Sequence, residues 1–167
     1  MTTEVIIALG SNLGSPIENL VKGIEHLDSI LDAPTRASSF WYSEPVNMEE
    51  KAAVFVNAVV LGQTHMSPFA LLKKLEDIEM LMGRQKEQTR KKAYSLSRTI
   101  DMDIIAYGVE RISTESLTIP HPRAMERLFV LLPLAQLCPE YHFPGQSLSL
   151  SELIEKAPKI EISDLGL

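Results

Sequence analysis

Two Ser-Pro pairs, Ser15-Pro16 and Ser67-Pro68, mark helix starts and so set the order of elements through most of the chain. Serine caps the free N–H groups of a helix, and proline fits the first helical position, where no N–H partner is needed. Ahead of the first pair, Val5-Ile-Ile-Ala-Leu9 is a short apolar run that reads as a central strand. Gly10 to Gly14 follows as a turn. Behind Ser15, Leu20, Val21, Ile24, Leu27 and Leu31 recur at helical spacing, with Glu18 placed to complete a capping box. Arg36 to Tyr42 reads as a second strand, broken by Glu44-Pro45. Val54 to Leu61 alternates as a third, with Phe55, Asn57 and Val59 on one face. Phe69, Leu72, Leu75, Ile78 and Met82 give a second helix its apolar face, and Gly83 ends it. Thr99 to Ala106 is a fourth strand.

Strand-helix-strand-strand-helix-strand is the ferredoxin-like βαββαβ order, an α+β class with an antiparallel sheet and two helices on one face. C-terminal helical additions follow. One runs from about Arg123 to Leu137, and a short last one carries Leu148, Leu150, Leu153 and Ile154. At 167 residues, with 45% hydrophobic and 23% charged, the chain is expected to form one globular domain over 1–167. The net charge of −6 argues against nucleic acid as the main partner. No apolar run approaches membrane-spanning length, and Met-Thr-Thr-Glu at the start does not resemble a signal peptide. Cys138 is the sole cysteine, which excludes an internal disulfide and a thiolate zinc cluster. A reducing cytoplasm is the expected setting.

Asp101-Met-Asp103 stands out inside the fourth strand, because strands disfavour aspartate. Alternation puts both carboxylates on one face, roughly 6–7 Å apart along the strand. Hard oxygen donors so placed can hold Mg²⁺, which completes its shell with water and substrate phosphate. Two solvated charges on the open face of an antiparallel sheet would be the plainer account. The connection from Arg84 to Arg98 carries six basic residues against one acid and leads straight into this pair. Such cations suit a polyphosphate whose charge exceeds what a metal neutralises, Arg84 and Arg98 more than Lys91 and Lys92.

His121 is held between prolines in Ile119-Pro-His-Pro-Arg123 and could donate to a phosphate oxygen; Arg127 adds a further anion contact. Asn57 interrupts an apolar strand, so its amide either satisfies backbone groups or reads the edge of a planar heterocycle. Phe55 and Phe129 could sandwich such a ring, although ordinary core is the better account of both on spacing alone. For Glu79, spacing favours a solvated charge on the helix surface. Gly10-Ser-Asn-Leu-Gly14 lacks the features of a nucleotide-binding glycine loop and by itself predicts a bend.

These motifs, in this order, resemble the hydroxymethyldihydropterin pyrophosphokinase family of folate biosynthesis, nearly end to end. The resemblance is carried by Ala8-Leu-Gly-Ser-Asn-Leu13, Phe55-Val-Asn-Ala58, Arg98-Thr-Ile-Asp-Met-Asp-Ile104, Ile119-Pro-His-Pro-Arg123 and Arg127-Leu-Phe-Val-Leu-Leu-Pro-Leu134. It implies a ferredoxin-like enzyme, usually monomeric, that transfers pyrophosphate from ATP to 6-hydroxymethyl-7,8-dihydropterin and releases AMP. It further implies two Mg²⁺ ions bridged by Asp101 and Asp103, and triphosphate contacts from Arg84, Arg98, His121 and Arg127. Glu79, Ile104 and Thr118 would lie near the nucleotide. Asn57 would hydrogen-bond the pterin between Phe55 and Phe129, with Ser43 and Val46 closing the pocket through main-chain contacts.

Some positions depart from the family pattern. Ser95-Leu-Ser97 stands where well-known members have Trp-Gly-Pro, and Tyr94 is the nearest aromatic residue. Ser116 replaces an arginine of some members, and Glu76 a nucleotide-contacting glutamine. Two other readings share the same topology. One is a Mg²⁺-dependent phosphoryl or nucleotidyl transferase with another acceptor; the other is a non-catalytic binding module.

Overall fold

The computed structural model describes residues 1–32, 34–44, 55–83 and 99–167. The core sheet is built from β1 (Thr3–Ser11), β3 (Trp41–Ser43), β4 (Phe55–Thr64) and β5 (Asp101–Tyr107), with the helices α1 (Pro16–Ile30) and α2 (Pro68–Leu81) between them. A further strand, β2 (Arg36–Ala37), pairs with β4 off the main path. Along the path the order is β5-β1-β4-β3, with antiparallel pairing throughout. That is the expected ferredoxin-like arrangement, an α+β fold. The second expected strand, Arg36 to Tyr42, forms as two short pieces, β2 and β3.

After β5 come β6 (Ile112–Ser113) and β7 (Thr118–Ile119), then α3 (Leu128–Leu137), α4 (Leu150–Lys156) and β8 (Ile162–Asp164). The strand β8 extends the sheet beyond β3. Sequence patterning gave no sign of it, since Ile162 is the only apolar residue of the three. No helix among the described residues is long and apolar enough to cross a membrane.

The sheet has a separate core on each face. On one, Val5, Ile7, Leu9, Val56, Ala58, Val60, Met102 and Ile104 meet Leu20, Leu27, Leu71, Leu75 and Ile78 of α1 and α2. On the other, Ile6, Val59, Leu61 and Ile105 meet Leu131 and Leu134 of α3 and Leu150 and Leu153 of α4. The C-terminal additions therefore cover the second face, and β1 and β4 read as continuous apolar runs because both sides are buried. Gly23 allows α1 to settle closely: a Cβ there would lie 2.5 Å from Ile100 Cδ1.

Three local expectations are corrected. Val21 and Phe69 are exposed, because the buried faces of their helices run through Leu20, Gly23 and Leu27 and through Leu71, Leu75 and Ile78. Ser15 makes no side-chain cap; instead Asn19 of α1 reaches back to Ser11 Oγ at 3.1 Å and the Leu13 carbonyl at 2.8 Å. A capping box does form at α4, where the Glu152 N–H donates to Ser149 Oγ and the Ser149 N–H to Glu152 Oε1.

Candidate active site

Strand register brings the acidic pair and the buried amide onto one face. Asn57 of β4 lies opposite Gly10 of β1, and Gly10 opposite Asp101 of β5. In the next row of that face, Val59 lies opposite Ala8, and Ala8 opposite Asp103. Residues directly opposite in an antiparallel pair share a face, so Asp101 and Asn57 are separated by one strand, roughly 10 Å across the sheet. Between them β1 contributes only Gly10 and Ala8. A Cβ at Gly10 would stand 3.2 Å from Asn57 Oδ1 and 3.6 Å from Phe55 Cδ1. Glycine thus makes room on β1 for the Asn57 amide and the Phe55 ring to approach. Reading Gly10 only as the start of a bend missed this role; a glycine that continues a strand is the available signal.

Asn57 is buried, and its Nδ2 donates to Ser43 Oγ at 2.7 Å and to the Trp41 carbonyl at 3.3 Å. Its Oδ1 faces Gly10. Satisfying a backbone group and turning an acceptor toward Gly10 are therefore combined in one side chain. Ser43 enters the site through its buried hydroxyl. Phe55, half-buried, stands two residues before Asn57 on the same strand. Phe129 rests against the second core, and the Arg127 guanidinium lies 5.4 Å from its ring centroid.

The other half of the site is a charged cluster. The His121 N–H donates to the Ile105 carbonyl at 2.9 Å, tying the Pro-His-Pro turn to β5. This leaves His121 Nε2 4.0 Å from Asp103 Oδ2, with the Asp103 side chain 40% accessible. Its Nδ1 accepts the Arg123 N–H at 3.2 Å, so the neutral ring carries its proton on Nε2, the nitrogen facing Asp103. Burial, together with the positive charge of Arg127, lowers the His121 pKa to about 4, against the opposing pull of Asp101. Burial also lowers the pKa of Arg127, while Asp103 raises it. Arg127 remains a cation, close enough for the charges of Asp103 and Asp101 to act on it. Thr118 pairs with Ser113 in the small β6–β7 ribbon that leads into the turn.

Glu79 overturns its expectation as a solvated charge. It is buried at the end of α2, and its Oε2 accepts the Met102 N–H at 2.8 Å, between the two aspartates. Helical spacing within α2 cannot reveal an N–H offered by a distant strand edge. Ile104 turns its side chain into the core under α1 and α2, so only its main chain could meet a nucleotide. Arg84, Arg98, Val46 and Tyr94 lie outside the described residues.

Asp101 and Asp103 suit Mg²⁺ in kind: it needs only one or two protein carboxylates beside water and phosphate oxygens. Among the described residues no three His, Cys, Asp or Glu side chains converge, so an all-protein cage of the structural zinc type has no site there.

The family model for 7,8-dihydro-6-hydroxymethylpterin-pyrophosphokinase matches residues 6–139, which span both halves of this site. The chain belongs to that family. A Bacillus subtilis 2-amino-4-hydroxy-6-hydroxymethyldihydropteridine pyrophosphokinase is 40% identical over 139 residues, which are 83% of this chain and 80% of the relative. A Haemophilus influenzae relative of the same name is 35% identical, covering 90% of each. Other relatives are far longer. The match to an Arabidopsis thaliana folate synthesis bifunctional protein, 39% identical, takes in 80% of this chain but only 27% of that one. Among solved structures, a Plasmodium falciparum HPPK-DHPS with pteroate superposes on 93% of this chain and 42% of its own, with a TM-score of 0.74. At 15% identity that likeness concerns the fold alone.

Proposed function

We propose that the chain transfers the pyrophosphoryl group of ATP to the hydroxymethyl oxygen of 6-hydroxymethyl-7,8-dihydropterin, a step of folate biosynthesis that releases AMP. The observation that carries this reading is the row Asp101–Gly10–Asn57. It sets a carboxylate pair and an amide on one face, with one strand between them. Family membership supplies the substrate class.

In this mechanism Asn57 Oδ1 accepts an N–H of the pterin edge, while Ser43 and the Trp41 carbonyl hold the amide in orientation. Phe55 and Phe129 offer ring surfaces for stacking. Asp101 and Asp103 would hold the Mg²⁺, which would neutralise phosphate charge and orient the triphosphate. Arg127, and Arg84 and Arg98 outside the described residues, supply cations for the remaining charge. His121, whose Nδ1 accepts the Arg123 N–H, donates from Nε2 to a phosphate oxygen.

The hydroxymethyl oxygen attacks the β-phosphorus in line. The bond from that phosphorus to the α,β-bridging oxygen breaks, and AMP leaves with the oxygen. The hydroxymethyl proton passes to solvent or to a phosphate oxygen. No protein base is needed, because such transfers depend mainly on positioning and charge neutralisation. A monomeric state and a cytoplasmic setting belong to the same proposal.

Mixing the protein with ATP, Mg²⁺ and the pterin alcohol should yield AMP and the pterin pyrophosphate in equal amounts, followed by ³¹P NMR. Formation of ADP, or of free pyrophosphate with an adenylated pterin, would assign a different transfer reaction. No Mg²⁺-dependent product at all would favour a non-catalytic binding module.

A further inference from the structure

The groups that hold Asn57 stand on β3, a strand of three residues. A strand so short has few bonds of its own to fix its position. On its far side β8 pairs with it residue by residue: Trp41 opposite Asp164, Tyr42 opposite Ser163, and Ser43 opposite Ile162. The pairing continues at both ends. The Leu165 N–H donates to the Phe40 carbonyl at 2.8 Å, and the Glu44 N–H to the Glu161 carbonyl at 3.1 Å. The Glu161 N–H in turn donates to Glu44 Oε1 at 2.9 Å.

A side-chain clamp joins this strand pair to α3. Gln136 Oε1 accepts from Trp41 Nε1 at 3.1 Å and from the Ser39 N–H at 3.2 Å. Its Nε2 donates to Asp164 Oδ2 at 2.9 Å, and Ser39 Oγ donates to Asp164 Oδ1 at 2.7 Å. One glutamine thus grips the indole at the head of β3 and the carboxylate on β8 together. The family match ends at residue 139, so β8 lies beyond it.

We propose that β8, clamped through Gln136 and Asp164, is a positioning element for the ring substrate. It sets β3, and β3 presents the Trp41 carbonyl and Ser43 hydroxyl that orient Asn57. Neither Gln136 nor Asp164 touches the ring; both act through the strand between them and the amide. The inference rests on Asn57 as the pterin contact, and it adds a reason for the C-terminal segment to affect one substrate and not the other. The nucleotide half, on β5 and the His121 turn, lies on the opposite side of β1 and β4.

The test is the full-length double variant Gln136→Ala with Asp164→Ala, whose substitutions remove exposed side chains and no backbone pairing. Loss of the clamp should raise the KM for the pterin alcohol roughly five- to tenfold. The KM for ATP should stay within twofold, and side-chain amide protons of Asn57, followed by NMR, should exchange faster than in the parent. A pterin KM within twofold of the parent, or equal rises for both substrates, overturns the proposal. If the parent itself shows no transfer, the proposed function fails instead. The Asn57 amide then decides the positioning claim alone: faster exchange in the variant upholds it, and unchanged exchange overturns it.

Discussion

The two faces of the central sheet are made by the same strands, yet one presents core residues while the other carries Asp101, Asp103 and Asn57 at one end. On β5, Met102 and Ile104 enter the core under α1 and α2, while Asp101 and Asp103 stand on the opposite face. On β4, Val56 and Ala58 are core, and Asn57 between them is the buried amide. On β1, Leu9 is core, while Gly10 and Ala8 stand on the other face. The period-two alternation of a strand lets stability and chemistry occupy neighbouring residues with little interference. Damage to either face should therefore be separable by measurement.

The largest separation is expected on β5. Asp101→Ala or Asp103→Ala should lower turnover about a thousandfold, through loss of metal-assisted charge neutralisation. Thermal unfolding of either variant should stay close to that of the parent. Near-normal turnover at saturating Mg²⁺ would break the comparison. On the other face, Ile104→Ala should cost about 2–5 kcal/mol of stability by denaturant titration. Its folded fraction should still turn over at a rate near that of the parent. Loss of activity without loss of stability would show that the two faces are not independent.

A subtler test concerns Gly10. Gly10→Ala puts a methyl group 3.2 Å from Asn57 Oδ1 and within van der Waals contact of Phe55. Steady-state kinetics should show the pterin KM raised about tenfold, from misplacement of one ring hydrogen bond, and the ATP KM little changed.

A separate effect, outside the working pH range, is a pH dependence of stability. His121 has a folded-state pKa of about 4, below its ordinary value of 6.5. Below pH 6.5 the unfolded chain therefore takes up a proton that the folded chain refuses, so stability falls between pH 6.5 and 4 and changes no further below that. In metal-free protein, His121→Asn should flatten this part of the stability profile, as read by urea titration at a series of pH values. An unaltered profile would place the histidine in a more solvated setting.

Much of the architecture was legible in the sequence because local signals and tertiary contacts agree there. The Ser-Pro starts, the apolar stripe at Leu20 and Leu27, and the alternation around Asn57 each describe an element that the sheet then uses. Residues whose role depends on a distant strand were not legible. Glu79 looks like any acidic residue of a surface helix until the Met102 N–H is brought to it. Gly10 looks like a turn residue until Asn57 and Asp101 stand on either side. The strand β8 forms because β3 offers it a partner, not because its own residues favour a strand.

Separate titrations of the two substrates test most directly whether one sheet face carries two independent half-sites. With a non-hydrolysable ATP analogue and Mg²⁺, the variant Asp101→Ala with Asp103→Ala should lose nucleotide binding and retain the pterin alcohol. Asn57→Ala should show the reverse, with pterin affinity lowered about tenfold or more. Loss of both ligands in both variants would contradict the account, because the acidic pair and the amide would then be supporting one structure and not two subsites.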